Sequence, residues 1–431
     1  MQNETIVAGL DIGTTKICVI LGRKNEFGKL EILGMGNAES GGVTRGVVTN
    51  IEKTVQSIRA AIKEAEQQTG IKIGLVNVGI AGQHIKSLQE HGVLIRDNSE
   101  TEINQEDIKR LIDNMYRLVV PPGDQIIHVM PQEFTVDHEG LTQDPVGSPG
   151  VRLEANFHII TGQISAINNI SKCVKRAELS IDEVILEPLA SSASVLSEEE
   201  KEAGVVLIDI GGGTTDLAIF HDRILRHTSV IPFGGNILTQ DIKDGLVLTS
   251  QQAELLKIRF GSALAPETKN NEIVSIPSLR GRDPKEISVR NLAHIIQARM
   301  EDIIEHIAYE IHTCGYGNKL TAGIVLTGGG SLLQHISQLF EYRTGMDTRI
   351  GYPNEHLGKC KIDLIKSPMY STGIGLVLTG FDSLDLRKKN QSQLSHEVSA
   401  KRDGTKDWFN RIINGTKKLL IDEEVDDTKS Y

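Results

Sequence analysis

The sequence predicts an α/β protein made of two related halves, and three observations carry that prediction. The phrase Asp-Ile-Gly followed by a threonine pair occurs twice, in LDIGTTKICVI (10–20) and in IDIGGGTTDLAIF (208–220). Each copy lies between two short apolar runs, the pattern of a hairpin closed by a glycine-rich turn. Each is then followed by alternating helix and strand patterns, so the chain repeats a plan as well as a phrase. The length of 431 residues suits two or three domains. With 42 glycines and 4% aromatic residues, the composition favours a fold rich in strands and turns over a helical bundle.

Taken in order, residues 5–11 and 16–22 alternate around DIGTTK and read as a β-hairpin. Residues 50–68 place apolar residues at helical spacing behind Asn50 as N-cap, and 74–80 reads as a buried strand. Residues 84–162 differ in character. They are more charged, are punctuated by Pro and Gly at 121–123 and 145–150, and hold one helix (105–118) and two strands (126–137 and 152–161). They read as a subdomain inserted into a first domain formed by 1–83 and 163–203. The α/β pattern resumes with a helix over 165–177, a strand over 181–186 and a helix over 188–196. The second domain, 204–382, opens with strand, turn and strand at 205–220. Helices follow at 236–244, 250–260 and 288–313, then a strand at 323–326, TGGGS at 327–331, a helix over 332–342 and a last helix over 370–381. Residues 383–404 are polar with no apolar stripe and read as a flexible linker. An amphipathic segment spans 405–421, and 422–431 is an acidic tail expected to be disordered.

Composition excludes some classes of function. The formal net charge of −11 argues against a nucleic-acid partner, because phosphate binding needs a basic surface. Cys18, Cys173, Cys314 and Cys360 form no CxxC pair, so neither a disulfide framework nor a zinc site is expected, and a reducing cytoplasm is the simplest compartment. No apolar run reaches the roughly 18 residues of a membrane span. Glu4 ahead of a short apolar run is unlike the basic start of a signal peptide.

The glycine turns carry the chemistry. A strand–turn–strand hairpin without side chains at its tip presents successive backbone N–H groups, a cradle for phosphate oxygens. Thr14, Thr15, Thr214 and Thr215 add hydroxyl donors, and Lys16 adds a positive charge. Asp11 and Asp209 end the first strand of each hairpin, where a carboxylate holds the water shell of a phosphate-bridging Mg2+. Two such turns facing each other grip a triphosphate from both sides. One DIG or GGG turn alone is common in tight hairpins with no ligand. The pairing favours the nucleotide, as does the third glycine turn at 327–331, which admits a flat adenosine against bare backbone. Neither a GxxxxGK[ST] P-loop nor a GxGxxG turn is present. Asp216 reads as a residue that fixes its turn, and the scattered histidines show no metal-ligand spacing.

DIGTTK, IDIGGGTTD and LTGGGS resemble the two phosphate motifs and the adenosine motif of the actin–Hsp70–sugar-kinase superfamily. Two further stretches, SGGVTRGVVTNIEKTVQSIRAAIKEAE (40–66) and DPVGSPGVRLEANFHIITG (144–162), are similar to FtsA, the actin-like family of bacterial division proteins. The resemblance runs through most of 1–382 and resumes in the C-terminal segment. It implies two actin-like (RNase H-like) α/β domains around a nucleotide cleft, an FtsA-type subdomain at 84–162 and a C-terminal amphipathic helix. It assigns Asp11, Gly13, Thr14, Thr15 and Lys16 to the first phosphate loop. Asp209, Gly211, Gly212, Gly213, Thr214 and Thr215 fall in the second, and Gly328, Gly329, Gly330 and Ser331 in the adenosine loop. Glu254 and Lys257 resemble a helical pair that reaches ribose and base; the alternative is an exposed face of helix 250–260. Glu187 stands where the superfamily carries a residue that positions the attacking water, as a general base would. The alternative is a first-turn residue of the helix beside Pro188.

The resemblance further implies ATP and Mg2+ as cofactors, at most slow ATPase activity, and filaments of the chain with itself. It implies that the C-terminal peptide of FtsZ is received around 234–300, that other division proteins bind, and that the chain works at the cytoplasmic face of the membrane at the division site. In TKDWFNRIINGTKKLL, residues Trp408, Phe409, Ile412, Ile413, Leu419 and Leu420 form one helical stripe, while Arg411, Lys417 and Lys418 lie off it. A 17-residue helix is only about 25 Å long, and its charges forbid spanning. The pattern suits the interface of an anionic bilayer; the alternative is docking in a protein groove. Three other functions fit the sequence less well. A kinase or ATPase on a small substrate lacks a convincing catalytic aspartate. A chaperone lacks a substrate domain after residue 382. A pilus-assembly or shape-determining actin homologue fits poorly with the 84–162 insertion and the C-terminal membrane segment.

Overall fold

The structure is a computed structural model that describes residues 5–97, 101–269, 271–277, 284–358, 360 and 362–398. The first strand, β1 (Ile6–Ile12), turns at 13–15 and returns antiparallel as β2 (Lys16–Lys24), with Asp11 opposite Cys18. Both strands are buried along nearly their whole length, so their pattern is continuous apolar rather than strictly alternating. β3 (Leu30–Glu39) extends the meander. A short hairpin, β4 (Val43–Thr44) and β5 (Val47–Val48), leads to α1 (Ile51–Thr69). Asn50 caps that helix as expected, its side chain accepting from the Lys53 N–H, and Gly70 ends it with φ of 71°. β6 (Leu75–Ile80) joins β1 in parallel.

The inserted segment forms a sheet of its own. β7 (Ile85–Ile95), α2 (Gln105–Met115), β8 (Asp124–Val136), β9 (Glu139–Thr142) and β10 (Arg152–Gln163) give the strand order β7-β10-β8-β9. Its core includes Leu94, Leu111, Met115, Phe134, Leu153 and Phe157. The chain then returns to the first sheet through α3 (Ile164–Arg176), β11 (Ser180–Leu186), α4 (Glu187–Val195) and α5 (Glu198–Ala203). The first sheet runs β11-β6-β1-β2-β3.

The second half repeats this. β12 (Val205–Ile210), β13 (Thr215–His221) and β14 (Ile224–Ile231) form the antiparallel meander. Then come α6 (Gly235–Leu246), α7 (Ser250–Phe260), the hairpin β15 (Ile273–Ile276) and β16 (Lys285–Ser288), and α8 (Val289–Thr313). β17 (Ile324–Thr327), α9 (Ile336–Thr344) and β18 (Thr348–Ile350) complete the sheet, in the order β14-β13-β12-β17-β18. Each sheet is three antiparallel strands followed by two parallel ones, so the repeated phrase marks a repeated domain. The residues of 234–300 share one core with the second sheet: Leu238, Ile242, Leu256 and Leu292 cluster with Val206 and Ile208.

The last helix, α10 (Ser371–Val398), corrects two expectations. Residues 383–398 continue the helix rather than forming a linker. This stretch contains no Gly or Pro and is rich in Leu, Arg, Lys and Gln, good helix formers even without an apolar stripe. The start of α10 also packs on the first half. A Cβ at Gly375 would stand 1.7 Å from the Ala190 carbonyl oxygen in α4, and one at Gly9 would stand 2.9 Å from that of Gly373. The helix expected at 332–342 starts at Ile336, because a 3-10 turn (Gly329–Leu332) comes first. The inserted sheet grips the edge of β14: Gln132 Nε2 donates to the Leu225 carbonyl (2.9 Å), Gln89 Nε2 to that of Arg226 (3.0 Å), and Arg226 pairs with Glu133 (2.8 Å). Among the described residues no helix is long and apolar enough to cross a membrane. Residues 399–404, the amphipathic segment 405–421 and the acidic tail 422–431 lie outside the described residues.

Candidate functional site

The tips of the two repeated hairpins meet. A Cβ on Gly212 would stand 2.3 Å from Thr15 Cγ2, and one on Gly213 would stand 2.6 Å from Thr14 Oγ1. Only glycine fits at either position, so bare backbone of the second turn faces the threonines of the first. Gly13 is held as tightly, since its Cβ would lie 2.9 Å from the Lys16 carbonyl oxygen. The Gly211 N–H donates to the Thr214 carbonyl (2.9 Å) and closes the second turn. Thr14 Oγ1 accepts from the Gly46 N–H (3.1 Å), which leaves its own hydrogen for another acceptor. Thr15 is exposed. Thr214 Oγ1 donates to Asp216 Oδ2 (3.2 Å), so Asp216 fixes the turn as expected. Thr215 departs from expectation. It is buried, and its hydroxyl donates to the Phe233 carbonyl (2.8 Å), so it shapes the loop and has no hydrogen left for a phosphate.

The third glycine turn lies against the end of β12. A Cβ on Gly328, where φ is 81°, would stand 2.2 Å from Asp209 Oδ1, and one on Gly330 would stand 2.2 Å from Ile210 Cγ2. Gly329 has its nearest neighbour, Met369 Cγ, 3.7 Å away and is the open face of the turn. Ser331 is buried and donates to the Gly328 carbonyl (2.8 Å), holding the turn from inside. The N-terminus of α6 is tied to the second turn, with the N–H groups of Gly235 and Asn236 donating to the carbonyls of Gly211 and Gly212 (2.9 and 2.8 Å). Lys257 Nζ donates to the Gly235 carbonyl (2.9 Å) and to Thr239 (2.8 Å), and pairs with Glu254 (2.8 Å). The pair therefore stands beside the second phosphate turn, and Lys257 is no exposed residue: its side chain is 13% accessible.

Four carboxylates share this cleft. Asp11, Asp209 and Asp216 are buried, and Glu187 is half-buried at the start of α4. Burial raises all four, and the negative neighbours add to it for Asp11, Asp216 and Glu187. Asp11 reaches about 6 and Asp216 about 8, while Glu187 is held well above the ordinary range. Lys16 works against burial at Asp11. Its ammonium donates to the Met369 carbonyl and sits 3.9 Å over the Tyr370 ring. Ser191 Oγ (2.7 Å) and Thr372 Oγ1 (3.2 Å) donate to Asp209 Oδ2 and orient it. Glu187 lies against Gly79, whose Cβ would stand 3.2 Å from Glu187 Oε1, and α4 has no side-chain cap bond. Crowded, buried carboxylates are costly alone and favour a divalent cation. Among the described residues no three His, Cys, Asp or Glu stand together as direct ligands, and Asp11 and Asp209 fit a cation held through water. Ser191 escaped the sequence reading, although it lies in the LEPLASS stretch that yielded Glu187. Thr372 has no local signal, because it reaches Asp209 across the fold.

The profile of the family described as Cell division protein FtsA matches residues 206–375, and that of the SHS2 domain inserted in FTSA matches residues 82–161. The Cell division protein FtsA of Pseudomonas aeruginosa is 41% identical over 405 residues, covering 93% of this chain and 96% of its own. This chain belongs to the FtsA family. The inserted sheet described above is thus the SHS2 domain of an FtsA-family protein, set within an actin-like body. Solved structures agree on the fold. A chain of a PilM-PilN type IV pilus biogenesis complex covers 87% of this chain and 98% of its own at a TM-score of 0.64 and 14% identity. MreB5 of Spiroplasma citri bound to ADP covers 90% and 98% at a TM-score of 0.52 and 14% identity. These two neighbours share the architecture at 14% identity, whereas the sequence follows the Cell division protein FtsA of Pseudomonas aeruginosa along nearly its full length.

Proposed function

We propose that the cleft binds Mg-ATP and that the chain is a self-assembling scaffold tethering FtsZ to the cytoplasmic face of the membrane at the division site. The observation that carries the nucleotide reading is the meeting of Gly212 and Gly213 with Thr15 and Thr14. Backbone N–H groups of both turns, with the Thr14 and Thr15 hydroxyls, bind phosphate oxygens; Lys16 supplies charge, and Gly329 offers its open backbone to the adenosine. Asp11 and Asp209 would hold the water shell of a Mg2+ ion, which would supply neutralisation of phosphate charge. Glu187, with its raised proton affinity, orients and deprotonates a water. Turnover is slow, and nucleotide acts by setting the closure of the two halves and so the polymer state.

The FtsZ peptide is received around 234–300, where α6, α7 and α8 supply helical grooves. Residues 405–421 lie in the interface of anionic lipid. Equilibrium titration with Mg-ATP, a pull-down with the FtsZ C-terminal peptide and negative-stain microscopy with and without vesicles test the three parts separately. A turnover near the ordinary enzyme value of about 10 s⁻¹ without any partner would replace the scaffold with an enzyme.

A further inference from the structure

The hairpin of β4 and β5 enters the cleft, and the nucleotide turns account for no part of it. Its tip is Arg45, whose φ of 49° lies in the left-handed region, followed by Gly46 at 73°. An arginine there carries a backbone strain that glycine would avoid. The tip is wedged on two sides. A Cβ on Gly213 would stand 3.0 Å from Arg45 Cα, and one on Gly82 would stand 3.1 Å from the Arg45 carbonyl oxygen. The neighbouring Gly46 N–H holds Thr14 Oγ1. Arg45 is exposed, and among the described residues its guanidinium has no hydrogen bond or ion pair. A strained backbone thus holds the Cα of an arginine beside Gly213 of the second phosphate turn and, through the Gly46 N–H, against Thr14 of the first, within a side chain's reach of both tips.

The order of the turns says which phosphate it meets. The adenosine turn lies on Asp209 and Ile210, at the start of the second phosphate turn, while Gly213 and Thr14 stand at its far end. A phosphate chain running from the first to the second ends next to Arg45. Resting on the nucleotide reading above, we infer that Arg45 binds the terminal phosphate of a nucleoside triphosphate and lets the cleft tell a triphosphate from a diphosphate. Guanidinium suits this role because it binds phosphate oxygens through paired N–H donors and stays charged at every relevant pH.

Calorimetric titration of the full chain with Mg-ATP and with Mg-ADP tests this on wild type, Arg45→Ala, Arg45→Lys and Arg45→Gly. Arg45→Ala is expected to weaken Mg-ATP by about tenfold or more, as for loss of a charge-assisted contact, with Mg-ADP changed by less than twofold. Arg45→Gly, which relieves the backbone, is expected to show the same selective loss, and Arg45→Lys to recover part of it. Equal losses for both nucleotides would make Arg45 a residue that only shapes the hairpin. Unchanged affinity for both in Arg45→Ala and Arg45→Gly would remove it from the site. If wild type binds neither nucleotide, the cradle itself is wrong and this inference goes with it. A selective loss separates the two claims, because the cradle then still binds diphosphate.

Discussion

Gly212 tolerates no side chain, and that makes it the sharpest residue-scale probe of the cleft. In Gly212→Asp the new Cβ meets Thr15 at 2.3 Å, and the carboxylate faces the phosphates it would have to accommodate. Mg-ATP affinity should fall by at least about a hundredfold, or 2.7 kcal/mol and more; equal titration curves for variant and wild type would overturn the cradle. Glu187 calls for a different readout, because its carboxylate is assigned to water and not to phosphate. Glu187→Gln keeps the shape of the side chain and deletes the base. Nucleotide affinity should hold, while single-turnover hydrolysis drops by roughly 10²-fold or more. Hydrolysis that persists at the wild-type rate would return Glu187 to the plain role of a first-turn residue beside Pro188.

At the scale of elements, the inserted sheet and the edge of β14 are joined by polar contacts around a buried histidine. His158 in β10 is fully buried, 2.9 Å from Gln89 and 3.2 Å from Thr228. Burial, helped by His227, lowers it from 6.5 to about 4. The unfolded chain therefore takes up the proton first. Stability from keeping this ring neutral is present above about pH 6.5 and is lost as the pH falls towards 4. At about 1.4 kcal/mol per unit, the loss is of order 2–3 kcal/mol. Denaturant unfolding at pH 7.5 and 4.5 should show wild type weakening by this much more than His158→Gln. A variant that loses stability in parallel with wild type would place the acid sensitivity elsewhere, with half-buried His128, which desolvation also lowers to about 4, as the next residue to test.

For the whole molecule, the expectation concerns many copies at once. One 405–421 segment partly buries one Trp, one Phe and four aliphatic side chains, each worth about 1.5–3 kcal/mol if fully buried, and ordering the segment takes part of that back. A single copy should hold a vesicle weakly, and a filament firmly, because each later contact becomes intramolecular. Truncation after Val398 or Trp408→Glu should leave Mg-ATP binding intact and release the protein from anionic vesicles on sedimentation. Trp408 is the single tryptophan, so its emission reports directly. No blue shift with lipid, or co-sedimentation of the truncated chain, would hand this segment to a protein groove.

The sequence by itself determined the repeated domain, the inserted sheet, the three glycine turns and the carboxylates Asp11, Asp209 and Glu187. These are local signals: a glycine turn between apolar runs or a capped helix is encoded within a dozen residues. Strands such as β3, β7 and β14 were not legible, because glycines interrupt the apolar pattern of β3 (LEILGMGNAE), a polar run and a glycine that of β7 (IKSLQEHGVLI), and polar residues that of β14 (ILRHTSVI). Only the tertiary structure decided that Thr215 turns its hydroxyl to Phe233, that Thr372 orients Asp209, that α10 starts against the first half, and that Arg45 stands at the mouth of the cleft. Each of these joins residues far apart in the chain. Which partner a hydroxyl or guanidinium meets depends on how two domains close on each other, and no pattern along the chain records that distance.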